Sequence, residues 1–204
     1  MAILSNLRNT LVLSLILAIL MIAAYGVHSP SGMDRTFWVA VVRWMHVFFG
    51  ILWIGLLYYF NFVQTRVLPA IPAELKPAVS KYIAPEALFW FRWSALFTVL
   101  AGLTLAILRG YILEVLTFGF AGGFDKALDL PFTLLGTGVW LAIIMFLNVW
   151  GVIWPNQKRS LGLVPADDAT KARAARVGML ASRINVLLSL PMLTAMTMHQ
   201  TIFG

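Results

Sequence analysis

The sequence predicts an all-α integral membrane protein: a single membrane domain over residues 1–204, built as a bundle of five transmembrane helices. Two observations predict this class. Of the 204 residues, 61% are hydrophobic and only 11% are charged, whereas soluble domains carry about 25% charged residues. In addition, five stretches are largely apolar over the ~20 residues that a helix needs to cross a bilayer. A chain with so little charge cannot cover a soluble globule with polar surface, so the lipid bilayer is its expected surroundings.

The predicted spans are residues 9–27, 37–63, 88–109, 130–154 and 183–203. All are too long and too continuously apolar for strands of a membrane β-barrel, in which apolar and polar residues alternate. The first span is basic and then apolar, as a signal peptide is, but its apolar run is long and no clear small-residue cleavage motif follows it. We therefore expect a retained helix.

The distribution of Lys and Arg predicts the orientation. If the N-terminus is cytoplasmic, the outer side holds four of the 15 Lys and Arg residues (Arg35, Arg43, Arg109 and Lys126) and the inner side holds the other eleven. Because cytoplasmic loops carry an excess of Lys and Arg, this split predicts an N-in, C-out topology. The net charge of +7 is then explained by inner loops facing anionic headgroups, and no nucleic-acid partner is expected.

The sequence also excludes several kinds of chemistry. It contains no cysteine, which rules out iron–sulfur ligation, thiolate catalysis and a haem attached covalently through CxxCH. It has no P-loop, GxGxxG, HExxH or GxSxG motif, so soluble nucleotide or hydrolase chemistry has no support.

Two of the three histidines, His46 and His199, lie inside predicted spans. Ionisable side chains at membrane depth are costly and are functional candidates by default. His46 is about ten residues from the outer end of the second span, and His199 is near the outer end of the fifth, so at ~1.5 Å per residue their depths are similar. Two imidazoles in the core of a helix bundle suit the two axial positions of one b-type haem. His28 follows the first span and is expected at the surface.

Neighbouring residues extend this hypothesis. Gly50 and Trp53 share a helix face with His46, and the missing side chain of Gly50 leaves room for a flat macrocycle. Arg43 lies one turn outward of His46, where its guanidinium can pair with haem propionates. The remaining side chains expected around the ring are small or apolar: Phe48, Phe49, Met192, Ala195 and Met196.

Two alternatives stay open at this stage. Intramembrane histidines also form structural or proton-handling pairs, because imidazoles hydrogen-bond across helices and small residues favour helix packing generally. Separately, Glu86 and Arg92 flank the inner end of the third span, where they can form an ion pair, bind a quinone headgroup or anchor the helix at the interface.

Several stretches resemble one family. The segment 44–55 reads WMHVFFGILWIG and is similar to the WxHxxxGxxWxG helix in the membrane domain of bacterial PuuD-type urate hydroxylases. Segments 58–64 (YYFNFVQ), 84–93 (APEALFWFRW) and 154–159 (WPNQKR) are similar to the same family, as is the stretch from Ser182 to His199. The resemblance covers roughly residues 36–204.

This resemblance implies a haem-binding redox protein of the bacterial inner membrane that works with cytochrome c or within a larger respiratory complex. Full-length family members are longer and carry a cytochrome c domain with a CxxCH motif, which this sequence does not contain, so no urate-binding residue is assigned. Two other functions remain open. One is a cofactor-free accessory subunit of a larger membrane complex. The other is a porphyrinogen oxidase, since the histidine pattern also resembles membrane protoporphyrinogen oxidases and copper-resistance membrane proteins more distantly.

Overall fold

The computed structural model describes residues 4–123 and 129–203, and all regular elements within these residues are helical. Five of the helices there are long and apolar enough to cross a membrane, judged by length and composition. In chain order the helices are α1 (Leu7–His28), α2 (Arg35–Ala70), α3 (Lys76–Arg109), the short α4 (Ile112–Leu116), α5 (Leu130–Ser160) and α6 (Asp168–Phe203). Lys126, which the sequence analysis placed on the outer side, lies outside the described residues.

Four helices extend beyond the predicted spans, all at the same end of the bundle. The helix α2 continues to Ala70, α3 begins at Lys76, α5 continues to Ser160, and α6 begins at Asp168. The start of α6 is capped by Asp167, whose carboxylate accepts hydrogen bonds from the Thr170 backbone N–H (2.7 Å) and hydroxyl (3.1 Å). These bonds hold the pKa of Asp167 below its usual value, as expected for a carboxylate at a helix N-terminus.

Four helices form the bundle, and α1 lies beside it. The helix α2 packs along α3, α5 packs along α6, and the two pairs meet through α2–α6 and α3–α5 contacts. Their shared core includes Trp53, Leu57, Phe91 and Met145, all almost fully buried. By contrast, α1 has only marginal contact with the described helices. The bundle therefore contains four of the five predicted helices.

A layer of polar contacts crosses the middle of this bundle. Three side chains on one face of α6 hydrogen-bond to α2 or α5: Ser182 to Asn61 (2.8 Å), Asn185 to Asn148 (2.7 Å) and Ser189 to Tyr58 (3.0 Å). Asn185 and Ser189 are completely buried. Interhelical hydrogen bonds of this kind are common between membrane helices and fix their register.

Candidate functional site

A cavity of about 590 Å³, here called the histidine cavity, lies between the four bundle helices at the end where α2 begins and α6 ends. All five residues that the sequence analysis assigned to a cofactor site line it: Arg43, His46, Gly50, Trp53 and His199. Its walls are otherwise mainly apolar and include Leu135, Met192 and Met196. A largely apolar cavity of a few hundred Å³ with a few convergent polar groups is the usual form of a cofactor site.

The ring of His46 is held in one orientation by α3. Its Nδ1 lies 2.8 Å from the carbonyl oxygen of Thr98. Because a carbonyl only accepts hydrogen bonds, Nδ1 carries the proton and donates it, which leaves Nε2 of the neutral ring with a free lone pair. Metal-binding histidines are commonly fixed in this way by a hydrogen bond from the other ring nitrogen. His46 is therefore prepared to act as a ligand through Nε2.

Two glycines near His46 have different roles. A Cβ added to Gly102 would lie 2.8 Å from Cε1 and 3.0 Å from Nδ1 of His46, so the ring occupies the space that a side chain would need. A Cβ added to Gly50 would meet only Cγ2 of Thr98, at an ordinary 3.8 Å. The absent side chain of Gly102 thus accommodates the imidazole itself, whereas that of Gly50 leaves free space at the cavity wall.

His199 is less constrained than His46. Its ring is half-buried, with the rings of Phe132 and Phe203 at centroid distances of 6.5 and 6.2 Å. Within residues 4–123 and 129–203, no hydrogen-bond partner fixes either of its ring nitrogens. The ring is consequently free to turn towards a group in the cavity.

Two arginines make this end of the cavity positive. Arg43 on α2 and Arg109 at the end of α3 both line the cavity, and no Asp or Glu in the described part of the chain forms an ion pair with either. A guanidinium at this depth gains most from an anionic partner, and its planar fork matches a carboxylate. The site therefore suits a ligand that carries carboxylates at one edge.

The fully buried Trp53 adds a further polar group. Its side chain is 1% exposed, and its indole Nε1–H has no hydrogen-bond partner in the described structure. A buried indole N–H normally finds an acceptor. Trp53 therefore supplies an unused donor beside the histidine cavity.

Other expected neighbours of the cofactor lie elsewhere. Phe48 is 47% exposed and stacks on Trp44, while Phe49 packs against Phe97, and neither lines the cavity. Ala195 is buried in the contact between α5 and α6, where a Cβ on Gly138 would lie 3.0 Å from its own. His28 is exposed, as expected, with Nδ1 bonded to the carbonyl of Ala24.

The possible ion pair between Glu86 and Arg92 does not form. Glu86 accepts a hydrogen bond from the indole of Trp90 at 3.0 Å. The guanidinium of Arg92 instead lies 3.4 Å from the ring centroid of Trp154, in a cation–π contact. The two residues thus make separate contacts in the first half of α3.

Sequence reasoning missed Thr98 and Gly102, which hold His46, and Arg109, which joins Arg43. A signal for Gly102 was present, since a glycine within an apolar span can mark the close approach of another group, whereas Thr98 acts through its backbone carbonyl and gives no side-chain signal. No group of three or more His, Asp or Glu side chains in residues 4–123 and 129–203 is arranged to hold a metal ion. Two imidazoles alone suit a metal whose other ligands come from a macrocycle.

Comparisons of this chain with protein family models, with curated proteins and with solved structures find no match.

Proposed function

We propose that this chain is a haem b-binding electron-transfer protein of the bacterial plasma membrane, with His46 and His199 as the two axial ligands of one haem. The observation that carries the proposal is the state of His46. Its Nδ1–H is bonded to the carbonyl of Thr98 at 2.8 Å, so its Nε2 is available in the cavity that His199 also lines. A haem supplies reversible one-electron transfer at its iron.

The other residues of the cavity would hold the group rather than react with it. Arg43 and Arg109 provide positive charge for the propionates. Gly50 leaves space against which the flat macrocycle can lie, and the Nε1–H of Trp53 is a donor with no partner in residues 4–123 and 129–203. The apolar walls exclude water, which favours tight retention of the ring and protects the iron from bulk solvent.

The resemblance to the membrane domain of PuuD-type urate hydroxylases supports the same proposal. It suggests that the outer-side electron acceptor is a cytochrome c or a subunit of a larger respiratory complex. The histidine cavity lies at the end of the bundle that carries few basic residues, which the charge distribution assigns to the outside. A haem there would lie close to an acceptor in the outer compartment.

An absorption spectrum of the purified protein tests this function directly. We expect a Soret band and sharp α and β bands after reduction, typical of six-coordinate b-type haem. The substitutions His46→Ala and His199→Ala should each abolish the low-spin spectrum, because each removes one axial ligand. His28→Ala is the matched control and should leave the spectrum intact, since His28 is exposed outside the bundle.

A colourless wild-type protein would favour the cofactor-free accessory subunit. Oxidation of protoporphyrinogen by the pure protein would favour the porphyrinogen oxidase. If both histidine variants keep the wild-type spectrum, the assignment of the ligands is wrong.

The N-in, C-out topology is part of the same proposal and has its own test. In the structure, Arg66 near the end of α2, Lys76 and Lys81 at the start of α3, and the basic residues at the start of α6 lie at the end opposite the histidine cavity. Alkaline phosphatase fused after Gly204 should be active, because that enzyme folds only outside the cytoplasm, whereas a fusion within the 71–75 connection should be inactive. The reverse pattern, at equal expression, would show that the orientation is inverted.

A further inference from the structure

A second cavity, here called the glutamine cavity, lies at the opposite end of the bundle from the histidines. It has a volume of about 170 Å³, roughly ten times the ~10–15 Å³ that a single water needs by the same measure. Its polar lining includes Gln64, Gln157 and Ser182, and its apolar lining includes Phe60, Phe91 and Met179. It is separate from the proposed haem site and shares no lining residue with it.

The two glutamines of this cavity are incompletely paired. The Oε1 atoms of Gln64 and Gln157 are buried, and neither accepts a hydrogen bond in the described structure. Leaving a buried acceptor without a partner costs free energy, and nearly all such groups in native proteins are satisfied. That two of them line one cavity indicates that a molecule bound there completes their hydrogen bonding.

The backbone departs from regular α-helix at Gln64 and just before Gln157. Residues Tyr59–Gln64 of α2 and Val149–Ile153 of α5 form π-helical turns. A π-turn contains an extra residue, so it rotates the following side chains by about 100° relative to a continuous α-helix. One π-turn ends at Gln64 and the other ends four residues before Gln157, so both directly influence where the amides point. Such turns occur frequently at functional sites.

The lining defines the chemical class of the ligand. Every described side chain that lines the glutamine cavity is uncharged, which favours a neutral ligand. The amides and the hydroxyls of Thr65, Ser160 and Ser182 each donate and accept hydrogen bonds, depending on how they rotate. The aromatic and aliphatic walls suit a ring. These amides and hydroxyls could therefore bind a ring whose oxygens accept hydrogen bonds when it is oxidised and donate them when it is reduced.

We propose that the glutamine cavity binds the head group of a membrane quinone, in its quinone and its quinol form. The carbonyl oxygens of a quinone would accept from the amide N–H groups, and the hydroxyls of a quinol would donate to the amide oxygens after the amides turn over. A charged Lys or Asp in the lining would favour either the quinone or the quinol, whereas the neutral amides can bind both. The proposal concerns binding and does not depend on haem in the other cavity.

The test is equilibrium binding of decylubiquinone and of decylubiquinol to the full chain, purified in detergent. We expect saturable binding of about one molecule per chain for both forms. Gln64→Leu and Gln157→Leu, which keep the side-chain volume and remove the amide, should each weaken binding roughly tenfold, as expected for one neutral hydrogen bond and its unsatisfied partner. Unchanged thermal unfolding would show that each variant is folded.

Gln200→Leu is the matched control, since the same substitution is made at the rim of the histidine cavity. It should bind decylubiquinone as the wild type does. The proposal is overturned if binding is not saturable, if Gln64→Leu and Gln157→Leu both bind as the wild type does, or if Gln200→Leu is the variant that loses affinity. None of these outcomes depends on the haem spectrum, so failure here is distinguishable from failure of the proposed haem site.

Discussion

The two cavities of this bundle differ in how their polar groups are arranged. In the histidine cavity, His46 is fixed by a hydrogen bond to Thr98, and the charged residues Arg43 and Arg109 are part of the lining. In the glutamine cavity the polar groups are neutral, and two amide oxygens have no hydrogen-bond partner among the described residues. The first arrangement suits a permanently bound metal cofactor with fixed charges. The second suits a neutral ligand that exchanges and changes its hydrogen-bonding pattern.

This difference also separates what a sequence can reveal from what it cannot. Ionisable residues inside apolar spans are conspicuous, because each carries a large energetic cost. Uncharged polar residues such as Gln and Ser are common near the ends of membrane helices, so their presence in the sequence does not predict a binding site. A site built from them becomes visible only when the helices are packed and the unpaired atoms are known.

The largest effect is expected from Gly102→Ala, which tests how rigidly His46 must be held. The added Cβ would lie 2.8 Å from Cε1 of His46, so the ring must leave its place beside Thr98. We expect the low-spin haem spectrum to be lost or converted to a high-spin one, although His46 itself is unchanged. Decylubiquinone binding at the other end should stay at the wild-type value.

The matched control is Gly151→Ala, where an added Cβ meets nothing within 4 Å. Gly151 does not line the histidine cavity, so the variant should preserve the haem spectrum. A Gly102→Ala protein with the wild-type spectrum would mean that the position of His46 does not matter for haem binding.

A smaller effect is expected from Asn185→Leu, in the polar layer between the two cavities. Asn185 is fully buried, accepts from Asn148 at 2.7 Å and donates to the carbonyl of Met145 at 3.1 Å. The variant leaves that carbonyl without its side-chain donor, so we expect a loss of about 1 kcal/mol in the free energy of unfolding, within the range measured for interhelical hydrogen bonds in membrane proteins. Reversible unfolding in mixed micelles would measure it.

The comparison variant for this experiment is Thr194→Val on the same helix. Thr194 is exposed, and within the described part of the chain its hydroxyl bonds only to the carbonyl of Leu190 in its own helix. Its replacement should change stability by less than about 0.5 kcal/mol. If the two variants were equally stable, the buried layer would contribute nothing to joining α6 to its neighbours.

The sequence predicted the helical class, five candidate spans and five of the residues that line the histidine cavity. Apolar length determines the spans, and helix periodicity placed Arg43, His46, Gly50 and Trp53 near one face. It did not predict that α1 lies beside the bundle, because an apolar helix looks the same whether lipid or protein surrounds it.

The contacts between helices could not be predicted from the sequence either. Thr98 holds His46 through a backbone carbonyl, which every residue possesses, so no side-chain pattern identifies it. The π-turns near Gln64 and Gln157 change which faces of α2 and α5 meet the core. A prediction that assumes a regular period of 3.6 residues therefore assigns the wrong residues to the core-facing side after each π-turn.

The smallest expected effect concerns the charge at the edge of the histidine cavity. Arg43 lines that cavity and has no acidic partner among the described residues. If it pairs with a haem propionate, its positive charge favours the reduced haem, which carries one positive charge fewer at the iron. Arg43→Gln should therefore keep the haem and lower its midpoint potential. An interaction of about 1 kcal/mol, at the upper end for a partly exposed pair, corresponds to roughly 40 mV for a one-electron couple.

Arg43→Lys is the matched variant, because it keeps the charge but loses the planar fork that binds a carboxylate at two points. We expect a smaller decrease in potential than for Arg43→Gln. The competing explanation is that Arg43 extends to the outer headgroups and never meets the cofactor. Redox titration separates the two: an Arg43→Gln protein that titrates as the wild type does would remove Arg43 from the haem site, even with His46 and His199 confirmed as ligands, and would leave Arg109 as the remaining cation at that edge.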